Sequence, residues 1–178
     1  MNILILSGSP RKGGNTDLLV EAFVKGASQK HMVEVVSVHD CKVYPCMGCN
    51  LCFRNEQHIC VQKDDISLIY KKMSVADMLV IASPVYFYGL SAQLKAVIDR
   101  FHNRIRDSFP IKKMALLLVG AATLPELFES ILTQYRLCLN FFKLEDAGRV
   151  LVRGVKDKGY VQNTEAMQKA YELGLNIR

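Results

Sequence analysis

Four thiols fall close together in the chain: Cys46, Cys49, Cys52 and Cys60, spaced C-x2-C-x2-C-x7-C. Three thiolates three residues apart can wrap an iron–sulfur cubane, and a fourth within reach closes a four-cysteine site. Zinc is a less natural occupant, because its paired C-x2-C knuckles usually lie farther apart. The same residues also suit reduced thiols, packed into a loop or active in redox exchange. A second stretch, Ser7-Gly8-Ser9-Pro10-Arg11-Lys12-Gly13-Gly14-Asn15-Thr16, combines glycines, small hydroxyls and two cations. Glycines let backbone amides approach an anion, and a helix starting there adds unpaired N–H groups and a positive dipole end. The stretch is neither a Walker A loop nor a GxGxxG fingerprint. Its simpler alternative is a glycine-rich turn with Asn15 or Thr16 as N-cap.

The elements that must position these residues follow from periodicity. Asn2–Ser7 is a short apolar run ending at Gly8-Ser9-Pro10, which predicts a buried strand running into a turn. From Asn15 the pattern is helical, with Leu18, Leu19, Ala22 and Phe23 on one face. Val33–Val38 is a second β-branched run. The next segment, residues 40–64, has neither period and holds most of the cysteines. A connection that long inside a compact domain is usually functional. Asp65–Ser74 reads as a helix and Met78–Ser83 as a third strand. Leu90, Leu94, Val97, Ile98 and Phe101 form the clearest helical stripe in the chain. Lys113–Val119 is a fourth strand, and Thr123-Leu124-Pro125-Glu126 has the form of a capping box opening a helix. Leu144–Val152 is a fifth strand and Asn163–Leu175 a final helix.

Strands and helices alternate, and the strands are continuous apolar runs. Such strands are buried on both faces, which predicts an α/β fold: a doubly wound parallel sheet with helices on each side. Ligands of such sheets sit beyond the carboxyl ends of the strands. The loops to watch are therefore Ser7–Thr16, the cysteine segment, Ser83–Gly89 and Gly120–Thr123.

With 178 residues, half of them apolar, the chain suits one domain spanning residues 1–178 with a cysteine-rich insertion at about 40–64. No apolar run reaches the roughly 20 residues that span a bilayer, and Asn2-Ile3-Leu4-Ile5-Leu6 has no basic region before it. The expectation is a cytoplasmic protein with no membrane partner. The net charge of +6 is scattered and forms no basic block. That argues against nucleic acid as a partner and fits a field that draws in anionic small molecules. Cys41 and Cys138 read as small core hydrophobes. Asp99-Arg100 reads as a structural ion pair or a helix-end charge effect. His31, His39, His58 and His102 belong to no paired motif, and no residue is assigned a catalytic acid–base role.

Three motifs together resemble the NADPH-dependent FMN reductase family of flavodoxin-like NAD(P)H oxidoreductases. They are the strand followed by Ser-Gly-Ser-Pro-Arg-Lys-x-Gly-Asn-Thr, the run Ala82-Ser83-Pro84-Val85-Tyr86-Phe87-Tyr88-Gly89, and Cys46-x-Gly-Cys49-x-x-Cys52 through Cys60 to Asp64-Asp65. They cover roughly the first 120 residues, and the last third matches no motif. The resemblance implies a five-stranded parallel sheet in flavodoxin order, one FMN per site, NAD(P)H as electron donor, and a homodimer or higher homo-oligomer. By matching position, Ser9, Arg11, Asn15 and Thr16 would hold the FMN phosphate. Pro84, Val85, Tyr86 and Phe87 would lie along the isoalloxazine with their amides toward its polar edge, and Gly120 and Ala121 would leave room for the ring. The cysteine motif is similar to that of the iron–sulfur flavoproteins, a branch of the family in which Cys46, Cys49, Cys52 and Cys60 would hold [4Fe–4S]. The implied activity is electron transfer from NAD(P)H through FMN to a small acceptor (a quinone, a flavin or a nitro compound) or to the cluster. A non-enzymatic electron carrier of the flavodoxin or ferredoxin kind is the alternative; such carriers are typically acidic, and this chain is basic.

Overall fold

The computed structural model describes residues 1–178. Five strands, β1 (Asn2–Ser7), β2 (Met32–Ser37), β3 (Met78–Pro84), β4 (Lys113–Val119) and β5 (Glu145–Val152), form one sheet in the order β2-β1-β3-β4-β5 with every pairing parallel. This is the flavodoxin-like order, whose switch point lies between β1 and β3. The helices are α1 (Asn15–Ala27), α2 (Leu51–Arg54), α3 (Ile66–Met73), α4 (Ala92–Asp99), α5 (Glu129–Phe142) and α6 (Ala166–Leu175). None is long and apolar enough to cross a membrane.

The pleat divides the apolar runs between two cores. Ile3 and Ile5 of β1, Val80 of β3 and Leu117 of β4 pack with Leu19 and Phe23 of α1 and Ala170 of α6. Their neighbours Leu4, Leu6, Ile81 and Leu116 face the other way, onto Ile69 of α3, Leu94 of α4 and Ile131 of α5. A period of 2 with both faces apolar gives the unbroken hydrophobic runs seen in the sequence. On the first face α1 and α6 touch backbone to backbone. A Cβ on Gly174 would lie 2.2 Å from Phe23 O, and one on Gly26 would lie 2.1 Å from Tyr171 O.

Three local expectations are corrected. Thr123 is not a helix cap: Arg153 donates to Leu124 O and Pro125 O and holds that stretch as a 3-10 turn, Pro125–Phe128, before α5 begins. The last helix starts at Ala166, not Asn163, because Tyr160–Asn163 is a separate 3-10 turn and the Thr164 hydroxyl accepts the Ala166 N–H at 3.2 Å. The stripe from Leu90 to Phe101 is helical only over Ala92–Asp99, where the Ser91 hydroxyl caps it by accepting the Leu94 N–H.

Arg100 is an ion-pair residue, but its partner is distant Asp64; neighbouring Asp99 pairs with Lys95. The Arg100 guanidinium donates to Asp64 at 2.8 and 3.3 Å and to Tyr44 O at 2.8 Å. Asp64 also accepts the N–H groups of Tyr44 and Ile66 at 2.9 and 3.2 Å. The two side chains are 1% and 0% exposed. Beside them, Lys42 N–H donates to Asp65 and Asp65 N–H to Lys42 O. Both ends of the cysteine segment are thus fastened to each other and to the end of α4.

Two predictions follow from this packing. Gly174→Ala forces two backbones apart and is expected to cost about 1–3 kcal/mol, the range of overpacking a tight contact, read as a lower urea midpoint. Asp64→Asn leaves a buried guanidinium without its countercharge, at a cost of about 3–5 kcal/mol. Burial pushes the Asp64 carboxyl up, but the Arg100 guanidinium and the two amides outweigh it and hold it below its ordinary value of 3.8. The pair's contribution is therefore full above that value and is lost as pH falls through the depressed one. Acid unfolding curves should show the native chain losing this increment, with Asp64→Asn losing correspondingly less between neutral pH and the acid limb.

Candidate functional site

The β1–α1 loop lies at the carboxyl edge of the sheet, next to the switch point. Its shape is set from within. Asp17 accepts the Gly13 N–H at 2.9 Å and the Ser7 hydroxyl at 3.4 Å. The Ser9 hydroxyl accepts the Arg11 N–H at 3.2 Å, and Gly13 adopts φ +63°, where a side chain would be strained. Gly14, not Asn15 or Thr16, is the residue at the N-cap, and no side chain caps the helix. The amides of Asn15, Thr16 and Asp17 consequently donate to no backbone carbonyl. Thr16, in the first turn of α1, is 2% exposed. Arg11 is exposed at the rim. A Cβ on Gly13 would lie 3.6 Å from Lys158 Nζ, so this ammonium from the β5–α6 connection overhangs the same loop. Free amides, a hydroxyl and two cations converging on a glycine-lined turn fit a phosphate ester.

Asn15 has a different task from the one its motif position implies. Its side-chain amide donates to Val155 O at 3.2 Å and Asp157 O at 2.8 Å, and its oxygen accepts the Val161 N–H at 3.2 Å. The side chain ties the β5–α6 connection to the loop, and only its backbone N–H remains for an anion. Lys158 and this tie lie in the unmotifed last third of the sequence, where no signal marked them.

The second loop is a tight turn. Tyr86 and Gly89 exchange backbone hydrogen bonds at 3.0 Å, and Phe87 and Tyr88 between them have φ of 48° and 63°. That is a primed turn of the kind normally built from Asn-Gly. Two aromatic residues in the left-handed region store about 1–3 kcal/mol each, which surrounding structure must hold in place. The Ser130 hydroxyl donates to Tyr88 O and does part of this. The amides of Val85 and Tyr86 turn inward, onto Val119 O and Gly89 O, so they are not available to a ligand as the motif suggested; those of Phe87 and Tyr88 have no backbone partner. Pro84 and Val85 are half-buried, and Phe87 is 98% exposed at the tip. At the third loop, the room beside Gly120 is filled from within: a Cβ there would meet Leu127 at 2.5 Å. Gly120 itself is buried, and Ala121 beside it is exposed.

The four thiols sit on the loop between Tyr44 and Asp64. Cys46 and Cys49 are exposed, Cys52 and Cys60 half-buried, and all are free. Burial pushes the Cys52 thiol up, and the fields of Cys60, Cys46 and Cys49 add to it, so those three lie within electrostatic range of Cys52. Gly48 N–H donates to Cys46 Sγ at 3.4 Å, and Cys52 Sγ donates to His102 O at 3.9 Å. Beneath them, buried Arg100 Nε has no partner. The donor set, soft sulfurs with N–H groups nearby, fits an iron–sulfur cluster. The spacing of the sulfurs is open: no three metal-ligating side chains stand close enough together to hold an ion. Cys41 and Cys138 pack against the core as small apolar groups.

Known proteins resemble this chain in sequence and in fold. An iron–sulfur flavoprotein of Methanocaldococcus jannaschii is 44% identical over 101 residues, a stretch covering 56% of this chain and 51% of that protein. The chain thus spans about half the length of that relative. A Bacillus subtilis protein provisionally named as an NAD(P)H-dependent FMN-containing oxidoreductase is 25% identical over 181 residues, covering 97% of this chain and 96% of that protein. Among solved structures, an NAD(P)H:quinone oxidoreductase from Methanothermobacter marburgensis has the same fold, with a TM-score of 0.76 at 18% identity over 99% of this chain and 96% of that one. Residues 1–144 match the family described as NADPH-dependent FMN reductase, and the chain belongs to that family.

Proposed function

We propose that the chain binds FMN along the carboxyl edge of the sheet and uses it as an NAD(P)H oxidoreductase, passing electrons to a small acceptor such as a quinone, a flavin or a nitro compound. The observation that carries this reading is the set of unpartnered amides of Asn15, Thr16 and Asp17 beside the Thr16 hydroxyl, Arg11 and Lys158. The phosphate would be held there, and the Pro84–Tyr88 turn would lie along the ring, with the Phe87 and Tyr88 amides as donors for its polar edge. When bound, FMN would supply the hydride and electron-transfer chemistry. The chain supplies binding, orientation and a rigid turn, and no side chain is required as acid or base. Cys46, Cys49, Cys52 and Cys60 are the proposed ligands of a [4Fe–4S] cluster, a one-electron partner for the flavin. Gathering their sulfurs requires the loop between the Tyr44 and Asp64 anchors to draw inward while those anchors stay fixed.

Anaerobic purification should give a yellow protein whose band near about 450 nm bleaches with NADPH alone. A colourless protein that takes up no FMN contradicts the proposal, and a flavin that NADPH leaves oxidised points to a pure carrier. The double variant Arg11→Ala with Thr16→Ala removes two phosphate contacts and should weaken FMN binding by about 30- to 100-fold with an unchanged far-UV spectrum. Replacing the turn tip, Phe87→Asn with Tyr88→Gly, relieves its backbone strain and should raise the melting temperature by several degrees while weakening flavin binding. A lowered melting temperature would show that the left-handed pair carries no strain.

A further inference from the structure

On the face of the sheet covered by α3, α4 and α5, the packing is not closed. Between α4, the Arg104–Ser108 turn and α5 lies a crevice of about 390 Å³, lined by 21 residues of which 16 are hydrophobic. Leu79, Met114 and Leu116 of the sheet form its floor, and Ile98, Ile131 and Phe142 stand along its walls. None of the residues placed at the phosphate loop or along the ring lines it, so it is a separate site. Its size falls within the roughly 300–1,000 Å³ of small-molecule pockets. Apolar walls without an apolar neighbour forfeit dispersion contacts that an occupant would supply.

The polar lining is confined to Arg106, Asp107, Lys112, Gln134 and Lys143. Arg106 is committed within the chain: it pairs with Asp107 at 3.6 Å, donates to Asn103 O, and lies over the Phe141 ring at 4.9 Å. Lys112 and Lys143 are exposed and pair with no carboxylate. They stand at neighbouring strand entrances, where Glu145 N–H donates to Lys112 O at 2.9 Å. With Arg106 and Asp107 neutralising each other, two free ammonium groups remain beside a deep apolar space.

We propose that this crevice binds an anionic amphiphile, a medium-chain fatty carboxylate, with its hydrocarbon chain over Leu116 and its carboxylate between Lys112 and Lys143. A neutral apolar ligand would leave both cations without a function in recognition. A soluble anion would gain nothing from the apolar floor. The combination selects molecules that carry both parts.

The test is titration of the full-length, FMN-saturated protein with dodecanoate below its micellar concentration, followed by NMR of methyl-labelled methionines. Met73 and Met114 line the crevice, whereas Met32 and Met47 are exposed elsewhere. Saturable shifts of the Met73 and Met114 methyls, with Met32 and Met47 unmoved, are expected. Lys112→Ala with Lys143→Ala should weaken dodecanoate about fivefold, two exposed charge contacts' worth, and leave 1-dodecanol unchanged. Cys138→Phe fills the crevice from its wall and should weaken both ligands by about tenfold or more while raising the melting temperature. The proposal is overturned if the Met73 and Met114 signals do not saturate, if the lysine variant binds dodecanoate as tightly as the native chain, or if 1-dodecanol matches dodecanoate in the native chain. The lysine variant changes only surface groups, so its result stands even if Cys138→Phe does not fold.

Discussion

All five strands run in one direction and are buried on both faces, so their carboxyl ends lie along a single edge. Every connection that leaves that edge must turn over the core and enter a helix from its amino end, where backbone N–H groups have no partner in the chain. In this molecule the exposed consequence is concentrated after β1, where no side chain caps α1. Asp17 braces the loop from inside, and Asn15 ties it to the β5–α6 connection. The donors that stay free are left for a ligand from outside. The chemistry of the site is therefore a by-product of sheet direction, sharpened by a few residues that keep the loop from satisfying itself.

The second organising contact is the buried Asp64–Arg100 pair. Its worth lies less in net stability than in what it fixes, since a buried pair is nearly balanced by the cost of drying it. Arg100 ends α4, whose other end packs against the phosphate loop: a Cβ on Gly8 would lie 2.5 Å from Ser91 Oγ. One short helix of about 12 Å thus has the β1–α1 loop at one end and the base of the thiol loop at the other. A segment that could otherwise move freely is anchored to the element that also supports the ligand edge.

Much of this was legible in the residues. Continuous apolar runs such as Asn2–Ser7 and Lys113–Val119 predict strands buried on both sides of a parallel sheet, whereas the order of the strands came only with the family resemblance. Glycines and hydroxyls after β1 marked the anion loop. Individual roles were less legible, because they depend on partners far along the chain. The motif position of Asn15 marks it as a phosphate contact; its backbone N–H stays free for that role, but its side chain is taken up by Val155, Asp157 and Val161. Gly120 looked like room for a ring, and the space on its Cβ side is taken by Leu127. Arg100 had a plausible neighbour in Asp99 and pairs instead with Asp64. Short-range pattern carries periodicity and turn chemistry; it does not carry which distant backbone group a polar side chain will meet.

The central claim is that the loop after β1 recognises a phosphate ester, with the ring a secondary contributor to affinity. Comparing the dissociation constants of FMN and riboflavin for the same apoprotein tests it most directly, because the two ligands differ only in that ester. Riboflavin is expected to bind at least about 100-fold more weakly, the loss of two or so charge-assisted contacts. Equal affinity for the two would contradict it, and the unpartnered amides of Asn15, Thr16 and Asp17 would then need another purpose.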